Sequence, residues 1–323
     1  MIPTRRLLLK AATVLPLVGA RPAFSQQYPS KSIKIIVAAS AGTSIDVTAR
    51  FFTEPLQKRL NTPIVIENRP GAGGLLGFTT VAKSPPDGYA LLLTGIPLYL
   101  LPLLSEITPP YDPLKDFTPV SRVARVPMAV VVPADSPYRT LSDLLRAMRD
   151  KPGEVTYSSQ GPGSTAHLCS VILNDMSKTK AEHIGYKETT MAITDVVGGR
   201  VTFTCQGSAG VLPLIQAGKL RALAVTGTKR WEAIPDVPTV AEAGIRGFEL
   251  SSWLDFMAPA RTPTPVVQLL SDEIGRIART PQFGEFCEKQ VIFPDVVGYG
   301  PLTEDMPNEA AKWKRIVQLA RGS

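Results

Sequence analysis

The sequence predicts an α/β protein of two lobes. Short apolar runs alternate with amphipathic helical patterns, the order that builds sheets covered by helices. The alternation comes in two series, separated by a proline-rich segment from Pro109 to Pro119. The 30 prolines in 323 residues argue for many strand and loop boundaries and against a helical bundle. A hydrophobic content of 44% and a charged content of 20% belong to a soluble globular chain. That length is enough for two domains of ordinary size.

Residues 1–25 read as an export signal and stand apart from the fold. Arg5 and Arg6 precede Leu7 to Leu9 and Lys10, a mildly apolar stretch runs from Ala11 to Ala20, and "AFS" puts Ala23 and Ser25 at the specificity positions of a signal-peptidase site. The order predicts cleavage after Ser25 and a mature chain in the periplasm. The apolar run falls well short of the ~20 residues of a membrane span. "TRRLLLK" also resembles the twin-arginine motif, with Thr and Leu where Ser and Phe are commoner, so both export routes stay open. Four of the 35 basic residues lie in this leader and none of the 28 acidic ones, so cleavage leaves 31 against 28, a net charge of +3 instead of +7. No basic block remains to suggest nucleic acid.

In the mature chain Ser32 to Ala38 reads as a buried strand. Ile45 to Leu60 reads as a helix, with Ile45, Ala49, Phe52, Leu56 and Leu60 three to four residues apart. Pro55 predicts a kink or break within it. Thr62 to Asn68 is a strand, Arg69 to Gly74 a glycine-rich turn, Leu75 to Lys83 a short helix and Tyr89 to Thr94 a strand, completing a βαβαβ unit. The second series opens with a strand at Met128 to Pro133. Thr140 and Asp143 form a capping box for a helix whose apolar face is Leu141, Leu144, Leu145 and Met148 and which Pro152-Gly153 stop. "VTYSS", "TAHLCSVILNDM", "AEHIGY", "MAITDVVGG", "VTFTC", "VLPLIQAGK" and "LRALAVTG" continue it. After Arg230 come two amphipathic helices, "PVVQLLSDEIGRIA" and "NEAAKWKRIVQLA", too little for a third domain. They are expected to complete the first lobe. The division is then 26–124 with 229–323 for lobe 1 and 125–228 for lobe 2, with a ligand cleft between them and hinge closure as the motion.

The chemistry-bearing motifs of enzymes are missing. There is no GxSxG elbow, no GxGxxG and no GxxxxGK[ST], and no acidic cluster suggests a metal. Cys169, Cys205 and Cys287 are far apart, with only His167 and His183 as possible partners, so neither a metal nor a cofactor is expected. An oxidising compartment permits one disulfide, Cys169–Cys205 being the nearer pair in sequence; buried free thiols are the equal alternative. What recurs is a strand end, small residues and a helix start, once at "ASAGTSID" (Ala39 to Asp46) and once around Ser158 to Ser164. If both junctions sit at the carboxyl ends of parallel strands, two helix N-termini converge on the cleft, offering free N–H groups and positive dipole ends that suit a carboxylate.

At these residues the sequence resembles the substrate-binding receptors of tripartite tricarboxylate transporters, the Bug (Bordetella uptake gene) or TctC family. The likeness covers nearly the whole mature chain. "IVIENRPGAGGLLG" with "SPPDGYALLLT" is its most specific piece. "YPSKSIKIIV", "VTYSSQGPGSTAHL" and the run from "GKLRALAVTGTKRW" to "DFMAPARTP" match as well. The resemblance implies the two-lobed periplasmic binding protein fold of type II and capture of a small carboxylated solute without catalysis. It implies as partners either membrane permease subunits or a sensor kinase, and a monomer. An exported enzyme using the same cleft, with His167 as base, is the remaining alternative.

The residues expected at the ligand are Ala39, Ser40, Gly42, Thr43, Ser44 and Asp46 in the first loop, Thr94 and Gly95 at a strand end, Gly161, Gly163, Ser164, Thr165 and His167 in the second loop, and Tyr186 and Asp195 beyond it. Ser44, Thr94, Ser164 and Thr165 are hydroxyl donors or cap and turn residues. Asp46 is a helix cap before it is a ligand contact, and His167 a satisfied helix histidine before a cleft residue. Tyr186 either stacks on the ligand or seals the hinge, Trp253 packs in core or hinge, and Lys187 is a solvated surface charge. The family's first loop usually reads Pro-Phe-x-Pro-Gly-Gly-x-x-Asp. Here Ala38, Ala39 and Ala41 replace Pro, Phe and Pro, and Thr43 replaces the second Gly. The lost ring predicts a roomier cleft, unless other residues fill it, and a ligand bulkier than a small amino acid, such as an aromatic or branched carboxylate.

Overall fold

The computed structural model describes residues 28–104 and 108–321; the expected export signal and its cleavage after Ser25 lie outside them. The first series folds as β1 (Ile33–Val37), α1 (Ser44–Leu60), β2 (Ile64–Asn68), α2 (Leu75–Ala82), β3 (Ala90–Thr94) and α3 (Pro97–Leu104). β2, β1 and β3 pair in parallel. α1 forms where expected because Thr43 caps its start, Asn61 takes the left-handed conformation at its end, and Ala49, Phe52, Leu56 and Leu60 bury one face. It runs on through Pro55 without a break. The buried residues on both sides of the proline offset its missing hydrogen bond.

β4 (Phe117–Pro133) follows, and it is the strand that joins the lobes. Phe117 to Pro127 pair with a strand of the first sheet, whereas Met128 to Pro133 pair with strands of the second. Sequence reasoning predicts only the second half, from Met128. Prolines hide the first half: Pro119 and Pro127 interrupt the strand pattern, and the ladder shifts register between Pro119 and Ser121 and again between Arg122 and Ala124.

The second lobe contains α4 (Leu141–Asp150), β5 (Thr156–Ser159), α5 (Thr165–Ser177), β6 (Glu182–Gly185), α6 (Thr189–Val197), β7 (Phe203–Gly207), α7 (Ser208–Gln216) and β8 (Leu220–Val225). The Thr140–Asp143 capping box at α4 is present in both directions. β6, β5 and β7 are parallel, and β7 and β8 meet β4 antiparallel. The chain then returns to the first lobe through β9 (Ser251–Pro259), α8 (Thr264–Ala278), α9 (Pro281–Gln290), β10 (Phe293–Gly298) and α10 (Tyr299–Arg321). The strand order is β2-β1-β3-β9-β4-β7-β5-β6, with β8 and β10 also on β4. In each lobe three parallel strands therefore lie outermost, and antiparallel strands meet at the connection.

Two features stiffen that connection. Arg122 of β4 faces Asp255 of β9, and the two buried side chains form a bidentate pair at 2.9 and 3.1 Å. Trp253, 1% exposed, packs against Tyr99, Trp313 and the Arg122 guanidinium, a core role and not a cleft role. Cys169 of α5 and Cys205 of β7 are joined in a disulfide, and Cys287 is a buried free thiol. No helix of the described residues is long and apolar enough to cross a membrane.

Candidate functional site

A cavity of about 120 Å³ lies where the strand ends of the two lobes face each other. On lobe 1 it is walled by Ala38 to Ser40, Thr43 to Ile45, Pro70, Gly71, Gly73 and Gly74 of the glycine-rich turn, Phe78, Thr94, Ser252 and Leu254. On lobe 2 it is walled by Gln160, Ser164 to Ala166, Lys187, Thr189, Gln206 and Gly207; Val126 and Met128 of β4 line it between. The two loops singled out in the sequence do come together.

Local chemistry sets each loop. Thr43 accepts the Asp46 N–H at 3.4 Å and donates its hydroxyl to the Ser40 carbonyl. The first N–H groups of α1, those of Ser44 and Ile45, have no acceptor within the helix and belong to residues on the cavity wall. Ser44 itself is 6% exposed, and its hydroxyl has no hydrogen-bond partner. Ser164 does for α5 what Thr43 does for α1: its hydroxyl accepts the His167 N–H at 3.2 Å and donates to the Gly161 carbonyl at 2.8 Å. That leaves Thr165 and Ala166, the first residues of α5, on the wall. The starts of α6 and α7, at Thr189 and Gly207, also reach it, neither capped by a side chain of its own N-cap residue. Four helix N-termini thus converge, and each favours negative charge.

The lobes touch around the cavity. The Gly73 N–H donates to the Gln160 carbonyl at 3.1 Å, and the Thr189 N–H to the Ser40 hydroxyl at 3.4 Å. At Gly163 a Cβ would sit 2.7 Å from the Leu101 Cα across the lobe boundary.

Of the residues expected at the ligand, Ala39, Ser40, Thr43, Ser44, Thr94, Ser164 and Thr165 line the cavity. Gly42, Asp46, Gly95, Gly161, Gly163, His167, Tyr186 and Asp195 are not on its wall; most of them support it. Asp46, 2% exposed, accepts from the Gly42 N–H, Arg50 Nε and Asn68 Nδ2 at 2.9 to 3.0 Å. Burial pushes its carboxyl up, but those donors outweigh burial, and its pKa lies below the ordinary value. Gly95 packs against the Trp253 carbonyl. His167 lies under the second loop, its ring 4.7 Å from His183, with Nδ1 buried and unpartnered. Burial and, second, the His183 ring push it down to about 4, so it is a neutral core histidine at neutral pH. Tyr186 donates its hydroxyl to Asp195 at 2.6 Å, and Asp195 also pairs with Arg200, which makes a surface triad.

The sequence reading passed over several wall residues. Lys187, read as a surface charge, is on the wall, as are Pro70, Gly71, Gly73 and Gly74 of the glycine-rich turn, Phe78, Gln160, Gln206 and Ser252. Gln160 donates to Gln206, and Gln206 to Thr204, an amide chain across the floor of lobe 2. Beside Ala39, the residues Ile45, Phe78, Met128 and Leu254 supply apolar wall. Among the described residues no group of His, Cys, Asp or Glu could hold a metal ion.

This fold and cleft define a two-lobed periplasmic binding protein. Residues 48–321 match the family described as "Tripartite tricarboxylate transporter family receptor", and the chain belongs to it. The chain is similar to the periplasmic binding protein BugD, with 30% identity over 91% of this chain and 98% of that one and a TM-score of 0.85. It is equally similar to Rpa4515 of R. palustris solved with adipate, at 30% identity, the same coverage and a TM-score of 0.86. MatC of Rhodopseudomonas palustris, solved with bound malate, is 26% identical over 90% of this chain and all of its own, with a TM-score of 0.81. The family and these neighbours are binding proteins, not enzymes.

Proposed function

We propose that the chain is a periplasmic receptor, freed of its leader after Ser25, that closes lobe 1 (26–124 with 229–323) and lobe 2 (125–228) on a small organic acid and presents it to a tripartite tricarboxylate-type permease. The observation that carries this is the Ser44 hydroxyl, buried and unpartnered on the cavity wall where helix N-termini converge. A buried hydroxyl without a partner is costly unless something arrives to use it. A carboxylate accepts from hydroxyls and backbone N–H groups together and gains from the helix dipoles. Thr94 and Thr165 supply further hydroxyls on the same wall.

The wall also limits the rest of the ligand. About 120 Å³ holds on the order of ten water-sized groups. Ile45, Phe78, Val126, Met128 and Leu254 favour an apolar body, so the ligand is a carboxylate larger than a small amino acid, with an aliphatic or aromatic middle. That the relatives are solved with adipate and malate supports the class. Native mass spectrometry of freshly purified protein tests it. A retained organic acid of about this size is expected; a retained amine, sugar or cation would overturn it.

A further inference from the structure

We propose that Gln160 makes this receptor select acids whose body carries a neutral hydrogen-bond donor, a hydroxyl, over acids of the same shape that lack it. The inference rests on the carboxylate reading above and adds to it a second recognised group. The direction of the amide chain on the lobe 2 wall carries it. That chain is anchored at a group that only accepts: the Thr204 hydroxyl donates to the Ser158 carbonyl at 2.8 Å, and both residues are fully buried. With its one proton committed, the Thr204 oxygen accepts from the Gln206 amide nitrogen at 3.1 Å. The Gln206 carbonyl oxygen therefore faces Gln160 and accepts from the Gln160 nitrogen, also at 3.1 Å. Turning Gln206 over would set its oxygen against the Thr204 oxygen, and turning Gln160 over would set two carbonyl oxygens together. Through Thr204 and Gln206, a backbone carbonyl in the sheet fixes which end of Gln160 is left over.

The end left over is Oε1. No protein group donates to it, and it is not sealed from solvent. The other side-chain oxygens on the cavity wall are hydroxyls, which can donate, or the Gln206 carbonyl, which already holds a proton donor. The cleft thus has two polarities. The helix starts and the Ser44 hydroxyl offer donors, which suit a carboxylate, whereas Gln160 offers an acceptor with nothing to donate. Its backbone is held at the lobe boundary, where its carbonyl accepts the Gly73 N–H at 3.1 Å. A ligand seated between the lobes displaces water from Oε1, and a carbonyl that loses water without gaining a donor is left unsatisfied. A hydroxyl on the ligand supplies that donor. A hydrogen or a methyl ether at the same place does not. An ammonium group would donate too, but the helix N-termini on the same wall disfavour positive charge.

Titration calorimetry on ligand-stripped protein tests this with benzoate and hexanoate, their hydroxy acids (3- and 4-hydroxybenzoate, 3- and 6-hydroxyhexanoate) and the matching methyl ethers. The wild type should bind the best hydroxy acid roughly tenfold tighter than its parent and its ether. Gln160→Met, close in size but without the acceptor, should bring that hydroxy acid to within about twofold of the parent and leave the parent's own affinity within about twofold of wild type. Thr204→Val keeps Gln160 and removes the anchor, so the preference for hydroxyl over ether should narrow while the parent acid binds as before. A wild type that binds parent or ether as tightly as every hydroxy acid, a preference that survives Gln160→Met, or one that Thr204→Val leaves untouched would overturn the inference while leaving the carboxylate reading intact. Failure of every acid to bind the wild type would overturn both.

Discussion

The loop before α1 and the loop before α5 each end in a hydroxyl cap, Thr43 and Ser164, that receives the N–H three residues on. They differ in what lies behind the cap. Behind Thr43 the support is polar and internal to lobe 1: Asp46 gathers Gly42, Arg50 and Asn68. Behind Ser164 the Ser159 hydroxyl holds the Gly161 N–H and pairs with His183, no charged group takes part, and Leu101 of the other lobe packs against Gly163. Gly42 and Gly163 show the contrast. Both have positive φ, +79° and +83°, but a Cβ at Gly42 would meet nothing within 4 Å, whereas at Gly163 it would strike the Leu101 backbone. Both loops touch the other lobe, the first through the Ser40 hydroxyl that accepts the Thr189 N–H, but only the second packs its glycine against backbone there. The second loop is therefore the one with less room at the lobe boundary.

The largest expected effect breaks that contrast directly. Gly163→Ala should weaken ligand binding roughly 10- to 100-fold, the range for forced overpacking, because the added Cβ holds the lobes apart. Gly42→Ala carries the backbone strain alone, ~1 kcal/mol, and should lower the melting temperature slightly with a far smaller loss of affinity. Titration calorimetry of both variants with one diacid separates them, and equal losses would remove the distinction.

Next is the polar support. Asp46→Ala leaves the Gly42 N–H and Asn68 amide without their buried acceptor and should cost ~2 kcal/mol, seen as a lower melting temperature. The Asp46 carboxyl is held below its unfolded value, so its contribution is present above about pH 4 and is lost as pH falls below that. Asp46→Asn should flatten that part of the acid limb.

The packed loop answers to a different pH window. His167 titrates near 6.5 unfolded and about 4 folded. Its contribution is complete above about 6.5 and fades as pH falls from there toward 4, because only the unfolded chain takes up the proton. His167→Leu should melt close to wild type at pH 7.5, since Nδ1 has no partner to lose, and should lose less stability between pH 6.5 and 4. The smallest effect is at the surface triad. Tyr186→Phe should leave ligand affinity within about twofold, since this half-buried hydrogen bond lies off the cavity wall. A larger loss would return Tyr186 to the ligand site.

Much of this was legible in the sequence because it is local. The caps Ser164 and Thr140 sit at fixed offsets from their helices, and α1 and α4 show their buried faces as spacing; at α1 the cap is Thr43 and not the Asp46 that the sequence suggested. The same logic singled out Ser44, Thr94 and Thr165, which line the cavity. What escaped depends on tertiary structure. α3 is apolar all round and gives no helical stripe, since Leu98 to Leu101 are buried together. β9 and the first half of β4 are paired through bulges and prolines. Lys187, Gln160, Gln206 and Ser252 come from separate segments with no shared motif; only folding brings them to one cavity. "RPGAGG" was visible as a glycine-rich turn, but its contact with Gln160 comes from a segment about 90 residues away and has no local signal.

The central claim is that facing helix N-termini and the Ser44 hydroxyl bind an anion. It is tested most directly by thermal melting of the ligand-stripped protein with a diacid and with the matching diamide, adipate against adipamide. The two have nearly the same shape and differ in charge. The account predicts a concentration-dependent rise in melting temperature with adipate, as linkage requires of a ligand that binds the folded state, and none with adipamide. Equal stabilisation by the diamide, or by the diamide alone, would contradict it.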